Sequence, residues 1–215
     1  MFETILLVGN GALSSSLQKF LKKERVVVFD KDNIDRLIHT KGDLLIDCSL
    51  PDAFDSVYAY LKKNRIPAII CATNHSKEQY FQMKELSKSI PLFKSENLSL
   101  GIALIDKILR ENKNIVKNYD LFLFDFHHRS KKDSPSGTGK KIAEILDHQV
   151  NIVSVRSKNI IGEHQIRLFD EDEEITITHK ATSKDLFARG ILKAIDWIDG
   201  KEPGYYGMED LINEI

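Results

Sequence analysis

The chain is poor in cysteine. Of its 215 residues only Cys48 and Cys71 carry a thiol, too few for a disulfide framework and too far apart for a Cys-x-x-Cys motif. Both end apolar runs, and both are expected to be reduced, buried thiols of a cytoplasmic protein. Neither sign of charge is in excess. Lysine and arginine total 31, aspartate and glutamate 32, for a formal net charge of -1, which argues against a nucleic-acid surface. Long apolar runs are missing too: none approaches the roughly 20 residues a bilayer-spanning helix needs. A strand begins within the first few residues, so no leader peptide is expected. There is no internal repeat and no low-complexity linker. What remains is an ordinary globular composition, 42% hydrophobic and 29% charged, long enough for one large domain or two small ones.

Positive charge is concentrated in one place. The stretch His127-His128-Arg129-Ser130-Lys131-Lys132-Asp133-Ser134-Pro135-Ser136-Gly137-Thr138-Gly139 follows the apolar run Leu121–Phe124, a strand, and precedes residues 140–146, a helix. Two imidazoles and two ammonium groups are thereby expected in a strand-to-helix loop. Ser136 is placed to cap the helix, and the N–H groups of Gly137, Thr138 and Gly139 to meet an anion. A core needs no such set of cationic donors, whereas a small substrate with carboxylates does.

The first half of the chain reads as a dinucleotide-binding unit. Thr4–Val8 is a compact apolar strand, followed by Gly9-Asn10-Gly11, by Ala12-Leu13-Ser14 and by a helical stretch through Leu17, Phe20 and Leu21. A second strand, Arg25–Phe29, ends at Asp30. The first glycine permits a tight turn, the second lets backbone approach a pyrophosphate, and the acid about twenty residues on binds ribose hydroxyls. Ser14 stands where a third glycine is usual. Asp30 favours the unphosphorylated ribose of NADH, and the adjacent Lys31 leaves NADPH possible. Further strands at 43–48, 67–71 and 91–93 alternate with helices to about Asn64 and over 77–88, the pattern of a parallel sheet covered on both faces. Gly9, Asp30, Ser49, Thr73 and Asn97 all fall at carboxyl ends of strands, where such sheets bind ligands. A helix from about 101 to 114 should lead out of this domain. The pattern then changes. A strand over 119–126, another over 151–155 and two alternating segments, 165–169 and 174–178, indicate a mixed sheet ending in an antiparallel hairpin with one wet face. A final helix spans about Lys184 to Ile198. The fold class is therefore α/β, a Rossmann-type parallel-sheet domain (1–98, completed by 184–215) with a second α+β mixed-sheet domain (99–183).

Two other chemistries are weighed on the residues. The string Ser136-Gly137-Thr138-Gly139-Lys140-Lys141 brushes a phosphate-loop pattern, but position 134 is Ser where glycine is required and position 141 is Lys where Ser or Thr must hold magnesium. A metal site using His127, His128, His164 and His179 lacks ligand spacing; no metal is expected, and His179 reads as an edge or packing residue.

With those residues in view, the chain resembles the dihydrodipicolinate reductase (4-hydroxy-tetrahydrodipicolinate reductase) family of bacterial lysine and diaminopimelate synthesis. The string His127–Thr138 is similar to its motif, and Glu96–Gly101, Ile161–His164 and Thr178–Ser183 are similar to further family segments in the same order. The resemblance implies reduction of a cyclic dicarboxylate by NADH or NADPH. It implies His127 as proton donor with Lys131 beside it, and His128 on one carboxylate. It implies Ser136, Gly137 and Thr138 on the other, with Thr73 doing likewise from the nucleotide domain. It implies a cofactor site at Gly9, Asn10, Gly11, Ala12, Leu13, Asp30, Lys31, Ser49, Cys71, Ala72, Thr73 and Asn97, and a homotetramer built through the mixed sheets. Where the family shows a Gly-Thr-Thr-Gly type stretch, this chain has Cys71-Ala72-Thr73-Asn74. Two rivals keep the architecture: an NADH-binding sensor, and a nicotinamide-dependent reductase of another diacid. Histidine suits proton delivery near neutral pH, and a lysine among cations can share it, so His127 and Lys131 are not separable on sequence.

Overall fold

The computed structural model describes residues 2–147 and 149–215, with Glu24 described in its backbone alone. The chain divides into two compact units, Met1–Leu98 with Asp185–Ile215, and Ser99–Lys184.

In chain order the first unit opens with β1 (Ile5–Val8), α1 (Ala12–Gln18), β2 (Val26–Phe29) and β3 (Leu44–Asp47). It continues with α2 (Phe54–Asn64), β4 (Ala68–Ile70), α3 (Lys77–Ser87) and β5 (Pro91–Lys94). The second unit holds α4 (Leu100–Glu111), α5 (Lys113–Val116), β6 (Asp120–His128), α6 (Gly137–Ile145), β7 (Val150–Ser157), β8 (Glu163–Phe169) and β9 (Glu174–Lys180). The chain then returns to the first unit as α7 (Asp185–Ile198), β10 (Gly204–Tyr206) and α8 (Met208–Glu214).

The first unit is a six-stranded sheet in the order β10-β5-β4-β3-β1-β2, parallel throughout. Its inner strands are buried on both faces, which is why they read as unbroken apolar runs. Leu6, Val8 and Leu45 pack against Phe54, Val57 and Leu61 of α2 and Met83 of α3. On the other face Phe93 meets Trp197 of α7 edge-on at 6.0 Å between ring centres. The order reverses between β1 and β3, so the loops that leave these two strands flank the crevice where such sheets bind nucleotides. The helix after Gly11 is shorter than its apolar pattern indicates: it stops at Gln18, and Phe20 lies half-exposed beneath the Arg189 guanidinium. No full helix joins β2 to β3; 3-10 turns over Ile34–His39 do so. The elements after Gly200 are not signalled by periodicity, because a three-residue strand is too short to show a period.

The second unit is a mixed sheet in the order β7-β6-β8-β9, with β6 and β7 parallel and the other pairs antiparallel. Helices α4 and α6 cover one face. Ile105 and Leu109 of α4 and Ile142 and Ile145 of α6 pack against Leu121 and Leu123 of β6 and Ile166 and Leu168 of β8. The other face carries Phe122, Phe124, Phe126 and Phe169, none of them fully buried.

Candidate active site

Alternation along β6 builds the site. Leu121, Leu123, Asp125 and His127 are buried and the residues between them are not, so these four share the covered face. The same face is continued by His164, Ile166 and Leu168 on β8. Register then brings the polar ends together. Asp125 lies opposite His164 and beside Ser154, His127 beside Arg156, and His164 opposite His179. One end of the covered face is thus an apolar core, and the other is a cluster of ionisable groups. The two histidines expected in a loop are the last two residues of β6, because backbone pairing to β7 runs on through His127 and His128.

Asp125 is at the centre and fully buried. Its Oδ2 accepts from the Ser136 N–H at 2.8 Å, from Arg156 Nη2 at 3.1 Å and from Ser154 Oγ at 3.4 Å. Its Oδ1 faces His127 Nδ1 at 2.9 Å and His164 Nε2 at 3.4 Å. Neither approach is an in-line hydrogen bond. Burial alone would raise the Asp125 carboxyl, but the two rings and the Ser136 amide hold it far below the usual carboxylate range. Arg156 also donates to the carbonyls of Asp125 and Asp133, at 2.9 and 2.7 Å, which ties the strand to the following loop. The His127 and His164 rings meet edge-on at 5.3 Å. Beyond them His179 Nε2 lies 3.1 Å from Ser99 Oγ; burial first, and then His164, push its pKa down.

Ser136 is the N-cap of α6, and its hydroxyl accepts from the Gly139 N–H at 3.0 Å. That amide is therefore engaged within the cap, which corrects its expected availability to an anion. The same hydroxyl lies 3.3 Å from His164 Nε2. Lys131 is half-buried and its ammonium sits 2.9 Å from the Asp133 carboxylate. That carboxyl is pulled down first by Lys131 and also by the Gly137 N–H. Lys131 and the turn before α6 thus already hold a carboxylate, the chain's own. His127 and Lys131 face different acids, Asp125 and Asp133. His128 is on the opposite face of β6 from His127, with its Nδ1 2.8 Å from Ser130 Oγ, so the strand does not bring the two imidazoles together.

Asp125, His127 and His164 place three donor atoms within 4.8 Å of one another. The Arg156 guanidinium already supplies positive charge to that carboxylate, so the set suits proton handling better than a cation.

The first unit's expected residues lie along the carboxyl edge of its sheet. Gly9 is buried at φ +102, and a Cβ there would stand 2.7 Å from the Cys48 carbonyl carbon, so glycine is required. Gly11, the N-cap of α1, has open space where a side chain would go, and Asn10 and Ala12 beside it are exposed, with Leu13 half-buried. Ser14 is fully buried and accepts from Gln18 at 3.3 Å. Asp30 accepts from the Asp32 N–H at 3.0 Å, and Lys31 is exposed. Ser49 donates to buried Asp47 at 2.5 Å. Cys71 and Ala72 are buried, Thr73 and Asn74 exposed, and Asn74 takes φ +62. Asn97 closes a turn with Ser95. Cys48, expected buried, is partly exposed because it follows the last paired residue of β3.

Sequence reasoning passed over Lys94. Its buried amine donates to the Ala72 carbonyl at 2.7 Å and lies 5.7 Å from the Tyr80 ring centre. Burial pushes the amine's pKa down. It pins the loop that departs from the family pattern. Asp125 and Arg156 were also missed, although the alternation Leu121-x-Leu123-x-Asp125-x-His127 places the acid on the core face.

Two family models match the chain, dihydrodipicolinate reductase N-terminus over residues 7–98 and C-terminus over residues 101–212. A 4-hydroxy-tetrahydrodipicolinate reductase of Clostridium novyi is 36% identical over 193 residues, 80% of this chain and 77% of its own. One of Brachyspira hyodysenteriae is 31% identical over 229 residues, 97% of this chain and 99% of its own. Among solved structures, the dipicolinate-bound dihydrodipicolinate reductase of Paenisporosarcina sp. TG-14 superposes with a TM-score of 0.82 over 98% of this chain and 99% of that one, at 18% identity.

Proposed function

The chain belongs to the dihydrodipicolinate reductase family, and from that premise we propose that it catalyses the NAD(P)H-dependent reduction of 4-hydroxy-tetrahydrodipicolinate to tetrahydrodipicolinate in lysine and diaminopimelate synthesis. The observation that carries the reading is the end of β6. There a histidine set against a buried carboxylate adjoins a turn whose lysine and backbone amide already grip a carboxylate.

His127 is the proton donor. Lys131 leaves Asp133 to hold a substrate carboxylate, and the turn formed by Ser136, Gly137 and Thr138 receives it. His128, which leaves the other face of the strand, is assigned in this proposal to the second carboxylate. The residues at the carboxyl edge of the first unit fit a nicotinamide dinucleotide. Gly9 closes the turn, Gly11 leaves room for a pyrophosphate, and Asp30 directly follows β2, where a ribose is read. Ser49 and the Cys71–Thr73 loop continue that edge. When bound, the reduced nicotinamide supplies a hydride; the protein's part is to place the substrate, exclude water and deliver the proton.

The same proposal includes a homotetramer joined through the phenylalanine-bearing face of the second unit's sheet. Phe122 and Phe169 meet there at 5.7 Å and Arg167 lies over Phe124 at 5.3 Å, with no side chain on that face of β6 fully buried. It also places the protein in the cytoplasm, in keeping with two free thiols. Among the described residues no helix is long and apolar enough to cross a membrane.

Inhibition tests the substrate class. A planar pyridine-2,6-dicarboxylate should compete with substrate, and the Lys131→Met variant should lose that inhibition by at least about tenfold. Equal inhibition by a monocarboxylate would contradict a two-carboxylate site.

A further inference from the structure

We propose that Asp125 is the positioning residue for proton delivery, fixing His127 with its proton-bearing Nδ1 turned inward and its Nε2 as the nitrogen that works. The proposal rests on the reading of His127 as proton donor and adds the group through which that histidine is set.

The carboxylate divides its two oxygens between two tasks. Oδ2 is anchored by three donors from three places, the Ser136 backbone, Arg156 on β7 and Ser154 on β7's covered face. An acid held that way does not rotate. Oδ1 is left for the imidazoles, with His127 Nδ1 at 2.9 Å. An electron pair on Nδ1 held 2.9 Å from a carboxylate is repelled even off the line of a hydrogen bond, so the proton is assigned to Nδ1. The neutral ring is then the Nδ1–H tautomer, and the proton gained on charging sits on Nε2. Delivery breaks the Nε2–H bond and forms a C–H bond at the substrate carbon, and the ring returns to the Nδ1–H form; no electrons move to or from the protein.

Gly162 supplies the second, independent observation. A Cβ added there would stand 3.2 Å from His127 Nε2 and 3.5 Å from Cδ2. The chain has no side chain at the place where one would crowd the working nitrogen. The ionisable groups facing His127 are Asp125 on its own strand, Arg156 on β7 and His164 on β8, with His179 on β9 behind His164.

The same acid holds the Ser136 amide; loss of that contact is read in KM, and loss of the His127 contact in kcat.

The test uses the full-length protein with substrate generated in place. Asp125→Asn should lower kcat by about 100-fold while KM changes only a few-fold, and raise the solvent deuterium isotope effect. Asp125→Glu should recover at least about tenfold of that loss. In a His127→Gln background Asp125→Asn should cost no more than about twofold further, because it acts through a ring no longer present. Losses that multiply in the double variant would overturn the proposal, as would a near-normal kcat for Asp125→Asn. If His127→Gln alone turns over normally, the proton-donor reading itself falls, which is a different result from a silent Asp125→Asn. Should the Asn variant fail to fold, nitrogen-15 NMR of the unaltered protein decides: a neutral His127 in the Nδ1–H tautomer is expected, and the Nε2–H tautomer would overturn the proposal.

Discussion

His127 lies at the point where a core strand runs out of hydrophobic neighbours. Below it Leu121 and Leu123 are packed by helices; around it are an acid, a guanidinium and a second imidazole. Replacing His127 with Gln should lower turnover by about 10²–10⁴-fold and raise KM far less, as measured by steady-state kinetics; an unchanged turnover number removes it from the mechanism. Asp30 directly follows β2 and its carboxylate accepts from the Asp32 amide, and Asp30→Ala should weaken NADH more than NADPH in a binding titration. Equal losses would speak against ribose recognition. Acid should act on Asp125 as well. Its pKa is depressed in the fold, so the unfolded chain takes up the proton first. The stability it contributes is complete above about pH 4 and is lost as pH falls further. Denaturant midpoints should therefore drop below that pH, and Asp125→Asn should flatten the drop while lowering stability at neutrality.

At the scale of elements, the nucleotide-binding half was legible because each of its signals is local. An apolar run, a glycine turn and a second apolar run lie within thirty residues, and Gly9 is fixed by a backbone clash that glycine alone avoids. Gly9→Ala should cost about 1–3 kcal/mol and most of the cofactor affinity; an unchanged denaturant midpoint would contradict the required φ. The second half was legible in class but not in detail. His127 and His128 read as loop because they are polar, whereas pairing to β7 makes them strand. Asp125 was hidden by the same bias, since a lone acid in Leu-Phe-Leu-Phe-Asp-Phe looks like a strand's wet side until burial shows it sharing the face of Leu121 and Leu123. Arg156 and Lys94 act through contacts 31 and 22 residues away in sequence, which no window of local periodicity spans. The strand over Gly204–Tyr206 gave no signal, because its place is set by pairing with β5.

At the scale of the molecule, one unit carries the glycine turn and the other carries His127, the proposed proton donor, and each presents its polar groups where its strands end. The partly buried phenylalanines of the second sheet are expected to be covered by further copies of the chain. Light scattering at micromolar concentration should give a mass four times that of one chain, and Phe124→Glu should reduce it; a monomeric unaltered protein would contradict the assembly. The reaction is tested by the loss of the reduced-nicotinamide absorbance band with 4-hydroxy-tetrahydrodipicolinate generated in place, each cofactor tried in turn. Substrate-dependent loss with NADH, NADPH or both is the expected result. No loss with either, in a protein that still binds NADH by calorimetry, would contradict it and turn the Cys71–Asn74 departure into evidence for a sensor or a different diacid.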